Sequence, residues 1–283
     1  MAIDRAANGL YPYKPNSTMC IPVAILFGAS AGYHIFQMIR KKTWFYTPLV
    51  VGSVMMTLGY IARYLSTKSP NSLMPYIAQS MFIILPPSLY AATLYMIFGR
   101  IVLLVDNPKA SIIRPTRVTK IFVGGDVLAF LMQSGGGGMM VVQSMAAMGQ
   151  NVMLAGLFVQ LLFFGFFLVV SLIFFQRMRA SPLRHTVPTY GKHTWAGLLN
   201  LLFAAAALII LRCIFRAIEF GQGHDGGYLA SHEVYMYLFD TAPMFIVQVM
   251  FHVVHAGDVF PPHFGMGKLA NDSKDDIYLQ SRV

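Results

Sequence analysis

The chain has 283 residues, of which 56% are hydrophobic and only 11% are charged, and its mean hydropathy is +0.59. A soluble domain carries about a quarter charged residues, so this composition excludes an ordinary soluble domain and indicates a membrane protein. The net charge of +10 does not indicate a nucleic-acid partner, because the basic residues lie between apolar runs, where anionic inner-leaflet lipid is the expected counter-surface.

Seven stretches of the chain have the roughly 20 mostly apolar residues that a membrane-spanning helix requires. They are residues 19–39, 45–65, 76–104, 118–138, 152–175, 195–219 and 234–254. The predicted fold class is therefore all-α, a polytopic bundle of seven transmembrane helices occupying residues 18–257. Residues 1–17 are expected to form a polar extracellular tail without a cleavable signal peptide, and residues 258–283 a cytosolic, disordered tail.

Two of the predicted spans contain residues that interrupt helices. The third span is too long for one straight helix and is expected to kink at Pro86 and Pro87. The fourth span ends in four consecutive glycines, which are Gly135, Gly136, Gly137 and Gly138. Close helix packing is one explanation for such glycines. Because four in a row weaken a helix more than packing requires, we favour a hinge or an opened backbone beside a cavity.

Lys and Arg residues in the loops set the expected orientation. Thirteen of them lie on the side shared by the first, third and fifth loops and the C-terminal tail, against three on the opposite side. This asymmetry predicts a cytosolic C-terminus and an N-terminus outside the cell. The sequence leaves open whether the sequon at Asn16 is glycosylated, since it lies close to the bilayer.

Polar side chains inside the predicted spans are candidate site residues, because ionisable groups in hydrocarbon cost several kcal/mol unless they are paired. The spacing of Arg212, Arg216 and Glu219 places all three on one face of the sixth span. We expect a lipid headgroup to bind in an outward-facing cavity formed by Asp126, Gln133, Glu219, Glu233, Asp240 and Gln79. Structural ion pairing is expected of Arg63, Arg212 and Arg216. A purely structural set of ion pairs between helices explains the same residues, and the two interpretations are compatible.

The sequence contains no G-x-S-x-G, P-loop or H-E-x-x-H motif. His252 and His255 lie three residues apart, but no Cys, Asp or Glu accompanies them at that depth, so no metal site is expected. Cys20 and Cys213 are too few for a zinc site or a disulfide framework. We therefore expect no enzyme activity and no cofactor. An intramembrane lipid hydrolase is disfavoured, because the sequence offers no nucleophile–base pair.

Several motifs resemble those of the fungal RTA-like proteins, a family of lipid-translocating exporters. They are Gly59-Tyr60-Ile61-Ala62-Arg63, Ala91-Ala92-x-x-Tyr95-Met96-x-x-Gly99-Arg100, Gly156-Leu157-x-x-Gln160, Arg212-x-x-x-Arg216-x-x-Glu219, Phe239-Asp240 and Pro243-Met244. The resemblance covers about residues 20–257, and the Arg-Arg-Glu motif is the most specific part of it. Ala256 departs from the family, which usually has proline after the histidine at position 255, and a changed end of the seventh helix is expected.

The resemblance implies an integral protein of the plasma membrane, or of a vacuolar or other endomembrane, that moves amphipathic molecules and contributes to resistance against stress or toxic compounds. Family members are associated with sphingoid long-chain bases, sterol-like amines and porphyrins, and the motifs do not identify which applies here. The expected partners are membrane lipids and amphipathic small molecules, and the sequence leaves protein partners open. The alternative function is a seven-helix sensor or receptor that binds a lipid without transport.

Overall fold

The computed structural model describes residues 11, 15–105, 111, 115–140, 142–181, 187, 193–222 and 227–260. Its α-helices are α1 (Cys20–Lys41), α2 (Thr47–Lys68), α3 (Leu73–Ile84), α4 (Pro86–Val105), α5 (Pro115–Met140), α6 (Ala146–Ala180), α7 (Trp195–Gly221), α8 (Glu233–Met236) and α9 (Ala242–Val253). Short 3-10 helices occupy Trp44–Tyr46, Gln143–Met145 and Ala256–Asp258, and a π-helical turn at Tyr237–Thr241 joins α8 to α9. The predicted all-α fold is confirmed, since this part of the chain contains no strand.

In the described part of the chain, seven helical rods correspond to the seven predicted spans, because α3 and α4 form one interrupted rod and α8 continues through the π-helical turn into α9. Among the described residues, six rods are long and apolar enough to cross a membrane: Cys20–Lys41, Trp44–Lys68, Leu73–Val105, Ala146–Ala180, Trp195–Gly221 and Glu233–Asp258. The 26 residues of α5 make it about 39 Å long, but its polar residues and glycines make it less apolar. It nevertheless packs along α6 and against α4 within the same bundle. The protein is therefore an integral membrane protein, while its orientation stays a prediction.

Most of the two predicted tails lies outside the described residues, which omit 1–10, 12–14 and 261–283. Several basic loop residues used to predict the orientation, Lys109, Arg114, Arg184 and Lys192, also lie outside them. The predicted tail boundaries at residues 17 and 258 therefore stay predictions.

The bundle has apolar side chains both at its centre and on its outer surface. Most side chains of α4 are buried, and this helix contacts α2, α5, α6 and α7. Aromatic rings fill the space beside it, as where the centroid of Tyr95 lies 4.6 Å from that of Phe167. On the outer surface, Phe158 and Leu162 of α6 are 61% and 69% exposed. Exposed apolar surface of this kind is expected of a protein surrounded by lipid.

The rod formed by α3 and α4 is interrupted at Leu85, where the proline pair begins. Proline has no N–H, so Pro86 and Pro87 cannot donate to the carbonyls of Phe82 and Ile83, four residues earlier. The interruption therefore leaves two backbone acceptors in need of other donors.

The opened backbone predicted at Gly135–Gly138 is wrong, because α5 continues through this run to Met140. The glycines instead allow α5 and α6 to approach closely. A Cβ atom on Gly136 would lie 2.6 Å from the carbonyl oxygen of Gly149 and 2.6 Å from the backbone nitrogen of Met153. Packing against α6 thus accounts for the helical conformation of a segment with low helix propensity.

The seventh rod ends in a way that depends on Ala256. After α9, the side chain of His255 caps the last 3-10 helix, its Nδ1 accepting a hydrogen bond of 3.0 Å from the backbone nitrogen of Gly257. The backbone N–H of Ala256 donates to the hydroxyl of Tyr46 over 2.9 Å. Proline could not make this bond, so a residue with a backbone N–H at position 256 is needed to link the end of α9 to the start of α2 in this way.

Candidate functional site

Two arginines of α7 bind one carboxylate from the π-helical turn. The Nε of Arg212 donates to Oδ1 of Asp240, and the Nη2 of Arg216 donates to Oδ2. The Nη1 of Arg216 also donates to Oε2 of Glu219 over 2.9 Å. We call these four residues the arginine network. Its two positive and two negative charges cancel, which lowers the free-energy cost of burying it inside a membrane bundle.

Two backbone irregularities position the arginine network. Asp240 lies in the π-helical turn, a rare local widening of a helix that is frequent at functional sites. The carbonyl of Ile83, which has no helical donor because of Pro87, accepts a hydrogen bond of 3.1 Å from Nη2 of Arg212. The proline pair therefore provides an acceptor for a buried guanidinium group, and the network connects α3, α7 and the π-helical turn.

Arg63 and Glu233 form a second ion pair, between α2 and the start of α8, with 2.8 Å between Nη2 and Oε1. The backbone N–H of Asn16 donates to Oε2 of Glu233 over 2.9 Å. The guanidinium carbon of Arg63 lies 5.9 Å from the ring centroids of both Tyr11 and Tyr237, within the range of cation–π attraction. The charge of Glu233 is therefore neutralised, and the segment before α1 contacts it.

Gln79 lies in a hydrogen-bond chain that the sequence did not predict. Its Nε2 donates to the hydroxyl of Tyr11 over 2.8 Å, and that hydroxyl donates to Oγ of Ser66 over 2.7 Å. Burial raises the pKa of the Tyr11 hydroxyl, which keeps its proton available for this donation. Tyr11 and Ser66 had no recognisable signal in the sequence, because both lie in stretches without a motif.

Gln133 of α5 belongs to a hydrogen-bond chain that connects three helices. Its Nε2 donates to Oε1 of Gln160 in α6 over 2.9 Å, and the Nε2 of Gln160 donates to Oγ of Ser88 in α4 over 3.3 Å. Gln160 belongs to one of the family motifs, which is the signal that could have identified it. These bonds satisfy polar groups that are costly to bury unpaired.

A narrow cleft beside the arginine network contains about 220 Å³ of space not filled by atoms, including space open to the surroundings. It is lined by Ile84, Gln133, Met153, Leu157, Arg212, Arg216 and Phe220. Of the six predicted headgroup residues, only Gln133 lines this cleft. In this conformation the predicted residues do not converge on one cavity, and the headgroup site stays a prediction.

Asp126 differs from the other acidic residues that the structure describes. Glu219, Glu233, Asp240 and Asp258 each have a basic partner. Asp126 has none, its side chain is 3% exposed, and neither carboxyl oxygen makes a hydrogen bond of ordinary length. It lies 11 residues into α5, about 16 Å along the helix and so near its middle.

The hydroxyl of Tyr95 is a polar neighbour of Asp126. It interacts electrostatically with the carboxyl group, but it too lacks a hydrogen bond of ordinary length. Sequence reasoning noted Tyr95 only as part of a motif in the third span. No set of three His, Cys, Asp or Glu side chains arranged to hold a metal occurs among the described residues.

The apolar exterior, the membrane-spanning rods and the internally paired charges define a polytopic helical membrane protein with a buried polar interior. Within this class, the chain belongs to the RTA1-like family. A family model described as "RTA1 like protein" matches residues 49–263, which is most of the chain. The resemblance seen in the sequence motifs is thereby confirmed.

Three relatives of the chain come from Saccharomyces cerevisiae. The chain is 40% identical over 208 residues to Protein RTA1, which covers 74% of this chain and 64% of that protein. It is 38% identical over 215 residues to Protoporphyrin uptake protein 1, covering 76% and 70%. It is 23% identical over 294 residues to the Sphingoid long-chain base transporter RSB1, covering 91% and 77%. The chain thus spans less than two thirds of the length of Protein RTA1. No solved structure matches the chain.

Proposed function

We propose that this protein exports amphipathic molecules with a cationic headgroup, such as sphingoid long-chain bases or sterol-like amines, across the plasma membrane. Membership of the RTA1-like family supports transport, and one relative is named for transport of sphingoid long-chain bases. The observation that carries the choice of a cationic substrate is the carboxyl group of Asp126, buried near the middle of α5 without a basic partner.

The headgroup is the difficult part of such a molecule to move, because a charge in the bilayer centre costs several kcal/mol or more. A translocating protein lowers this cost by offering an opposite charge along the path. Glu219, Glu233 and Asp240 could accept a cation only by releasing an arginine. Asp126 could accept one without breaking an existing ion pair.

We therefore assign the predicted residues two different roles. Asp126 is the main headgroup ligand, and Gln133, two turns further along α5, provides a polar group beside the cleft. The arginine network and the pair of Arg63 with Glu233 hold the helices together. Export across the plasma membrane would reduce the amount of a toxic amphiphile in the cell, which is the proposed basis of stress resistance.

A lipid sensor without transport is the second candidate. The observation that favours it is the narrowness of the cleft in this conformation, because a receptor need not open a path across the bilayer. Another relative is named for protoporphyrin uptake, so the experiment also tests a different substrate and the opposite direction of transport.

Expression in a yeast strain that lacks its own family members tests the proposal. The protein should increase the release of a labelled sphingoid base and the tolerance of cells to it. Asp126→Asn should abolish both effects, whereas the control Asp258→Asn, in a partly exposed ion pair, should not. Unchanged release with altered transcription would favour the sensor, and porphyrin uptake without release of the base would contradict a cationic substrate.

A further inference from the structure

We propose that Asp126 is a proton-carrying site and that the protein exchanges one proton for one cationic amphiphile at this carboxyl group. The inference rests on the proposed function, and adds to it the force that drives transport. It starts from the contrast between Asp126 and the four acidic residues in the described part of the chain that have basic partners.

The groups around Asp126 carry no positive charge that could replace a proton. Tyr95 faces it from α4, and the thiol of Cys213 lies within electrostatic range on α7. Arg212, the neighbour of Cys213 in sequence, directs its guanidinium group to Asp240 and to the carbonyl of Ile83.

Phenylalanines of α5 and α6 lie close to two neighbours of Asp126, which are Gly125 and Tyr95. A Cβ atom on Gly125, next to Asp126, would lie 2.3 Å from the ring of Phe163. The ring of Tyr95 lies between 4.6 and 6.0 Å from those of Phe122, Phe164 and Phe167, measured between centroids. Aromatic faces attract cations, and quaternary ammonium groups in particular. The carboxyl group and these rings together suit an ammonium headgroup.

A carboxylate without a counter-charge is strongly disfavoured in such surroundings, so in this conformation Asp126 carries its proton. When an ammonium group takes a position beside it, the O–H bond breaks, the proton passes to water and the carboxylate pairs with the cation. The reactants are the neutral acid and a free cation, and the products are a neutral ion pair and a free proton. The site has no net charge in either state.

This balance of charges determines which gradient drives transport. One proton and one monovalent cation move in opposite directions, so no net charge crosses the membrane. The pH gradient should therefore drive transport, and the membrane potential should not. A site that is neutral in both occupied states can also change its exposure from one side to the other without moving a charge through hydrocarbon.

Binding measurements on the full chain in lipid nanodiscs test the exchange directly. The probe is a fluorescent long-chain quaternary ammonium amphiphile, whose charge does not change with pH, and empty nanodiscs give the background. Because binding releases one proton, the Kd should fall about tenfold per unit rise in pH while free Asp126 is protonated. Asp126→Asn should remove this dependence. A Kd of the unaltered protein that does not change with pH overturns the proposal, whether or not the variant folds.

Liposomes containing the protein separate failure of this proposal from failure of the proposed function. Transfer of the same probe between leaflets should accelerate under an imposed pH gradient, lose this acceleration with nigericin, and remain unchanged by a potassium diffusion potential set with valinomycin. Transfer that is protein-dependent but insensitive to pH overturns proton exchange and leaves the transport function standing. Absence of any protein-dependent transfer contradicts both.

Discussion

Arg212 and Asp240 form a buried ion pair in which the Nε of the arginine donates to Oδ1 of the carboxylate, and neither side chain is more than 2% exposed. The two residues lie 28 positions apart, one in α7 and the other in the π-helical turn. Arg216 binds the second oxygen of the same carboxylate. Asp240 is therefore the centre of the arginine network, and its loss leaves Glu219 as the only carboxylate of the network to balance two guanidinium groups.

Asp240→Asn and Asp126→Asn make the same chemical change at two buried positions and should have different effects on stability. Breaking a buried ion pair costs about 3–5 kcal/mol. Asp240→Asn should therefore strongly reduce the fraction of the protein that stays monodisperse after heating in detergent. Asp126→Asn removes no ion-pair partner and replaces a neutral acid with a neutral amide of similar shape. It should retain a melting temperature close to that of the unaltered protein, and equal destabilisation by both changes would refute this assignment.

Glu219→Gln should have a smaller effect than Asp240→Asn, because Arg216 keeps its bond to Asp240. Adding Arg216→Gln removes the excess positive charge and leaves the pair of Arg212 with Asp240 intact. We expect the double variant to be more abundant at the membrane than Glu219→Gln alone, with normal transport per folded molecule. A well-folded double variant without transport would instead place the arginine network in the headgroup site.

Gly136→Ala should destabilise the contact of α5 with α6, whereas Gly138→Ala should not. The new methyl group at position 136 would meet backbone atoms of Gly149 and Met153 at 2.6 Å, but nothing lies within 4 Å of the Cβ position of Gly138. Because alanine has the higher helix propensity, Gly138→Ala should be neutral or stabilising by up to about 1 kcal/mol. Thermal unfolding of the two variants in detergent compares their stabilities. Equal melting temperatures would show that α5 and α6 can move apart to accommodate a methyl group at position 136.

The segment between α7 and α8 should face the outside of the cell. Tyr228 is 63% exposed, and the native Cys20 and Cys213 are both buried, so Tyr228→Cys should provide a single reactive thiol. We expect an impermeant maleimide added to intact cells to label it. Labelling only after the membrane is permeabilised would reverse the orientation.

The sequence was sufficient to predict the helices, because a run of some 20 apolar residues can adopt few structures other than a helix in a bilayer. It could not predict how the glycine run behaves. A local propensity for breaking a helix is outweighed when another helix supplies close contacts, and the partner at Gly149 lies in a different span. The π-helical turn at Tyr237–Thr241 was likewise missed, since it is defined by backbone hydrogen bonds and has no residue signature of its own.

The residues of the candidate site could be predicted from the sequence, but the pairing between them could be predicted only in part. Spacing placed Arg212 and Arg216 on one face, yet it could not show that both bind Asp240. Spacing also could not show that Asp126 has no basic partner. Pairing depends on how the helices are arranged around one another, and several arrangements satisfy the same helical periodicity. The role of Pro87 in freeing an acceptor for Arg212 also required the neighbouring helix to be in place.

Transfer of a fluorescent sphingoid base between the leaflets of liposomes containing the purified protein is the measurement that tests the central claim most directly. Transfer is read from the fraction of the base that an impermeant quencher can reach over time. Transfer should be faster than in protein-free liposomes, reduced to background by Asp126→Asn and retained by Asp258→Asn. Transfer of a neutral ceramide analogue should not be accelerated. Transfer of the base equal to that in protein-free liposomes, or equal transfer by the Asp126→Asn variant, would contradict the central claim.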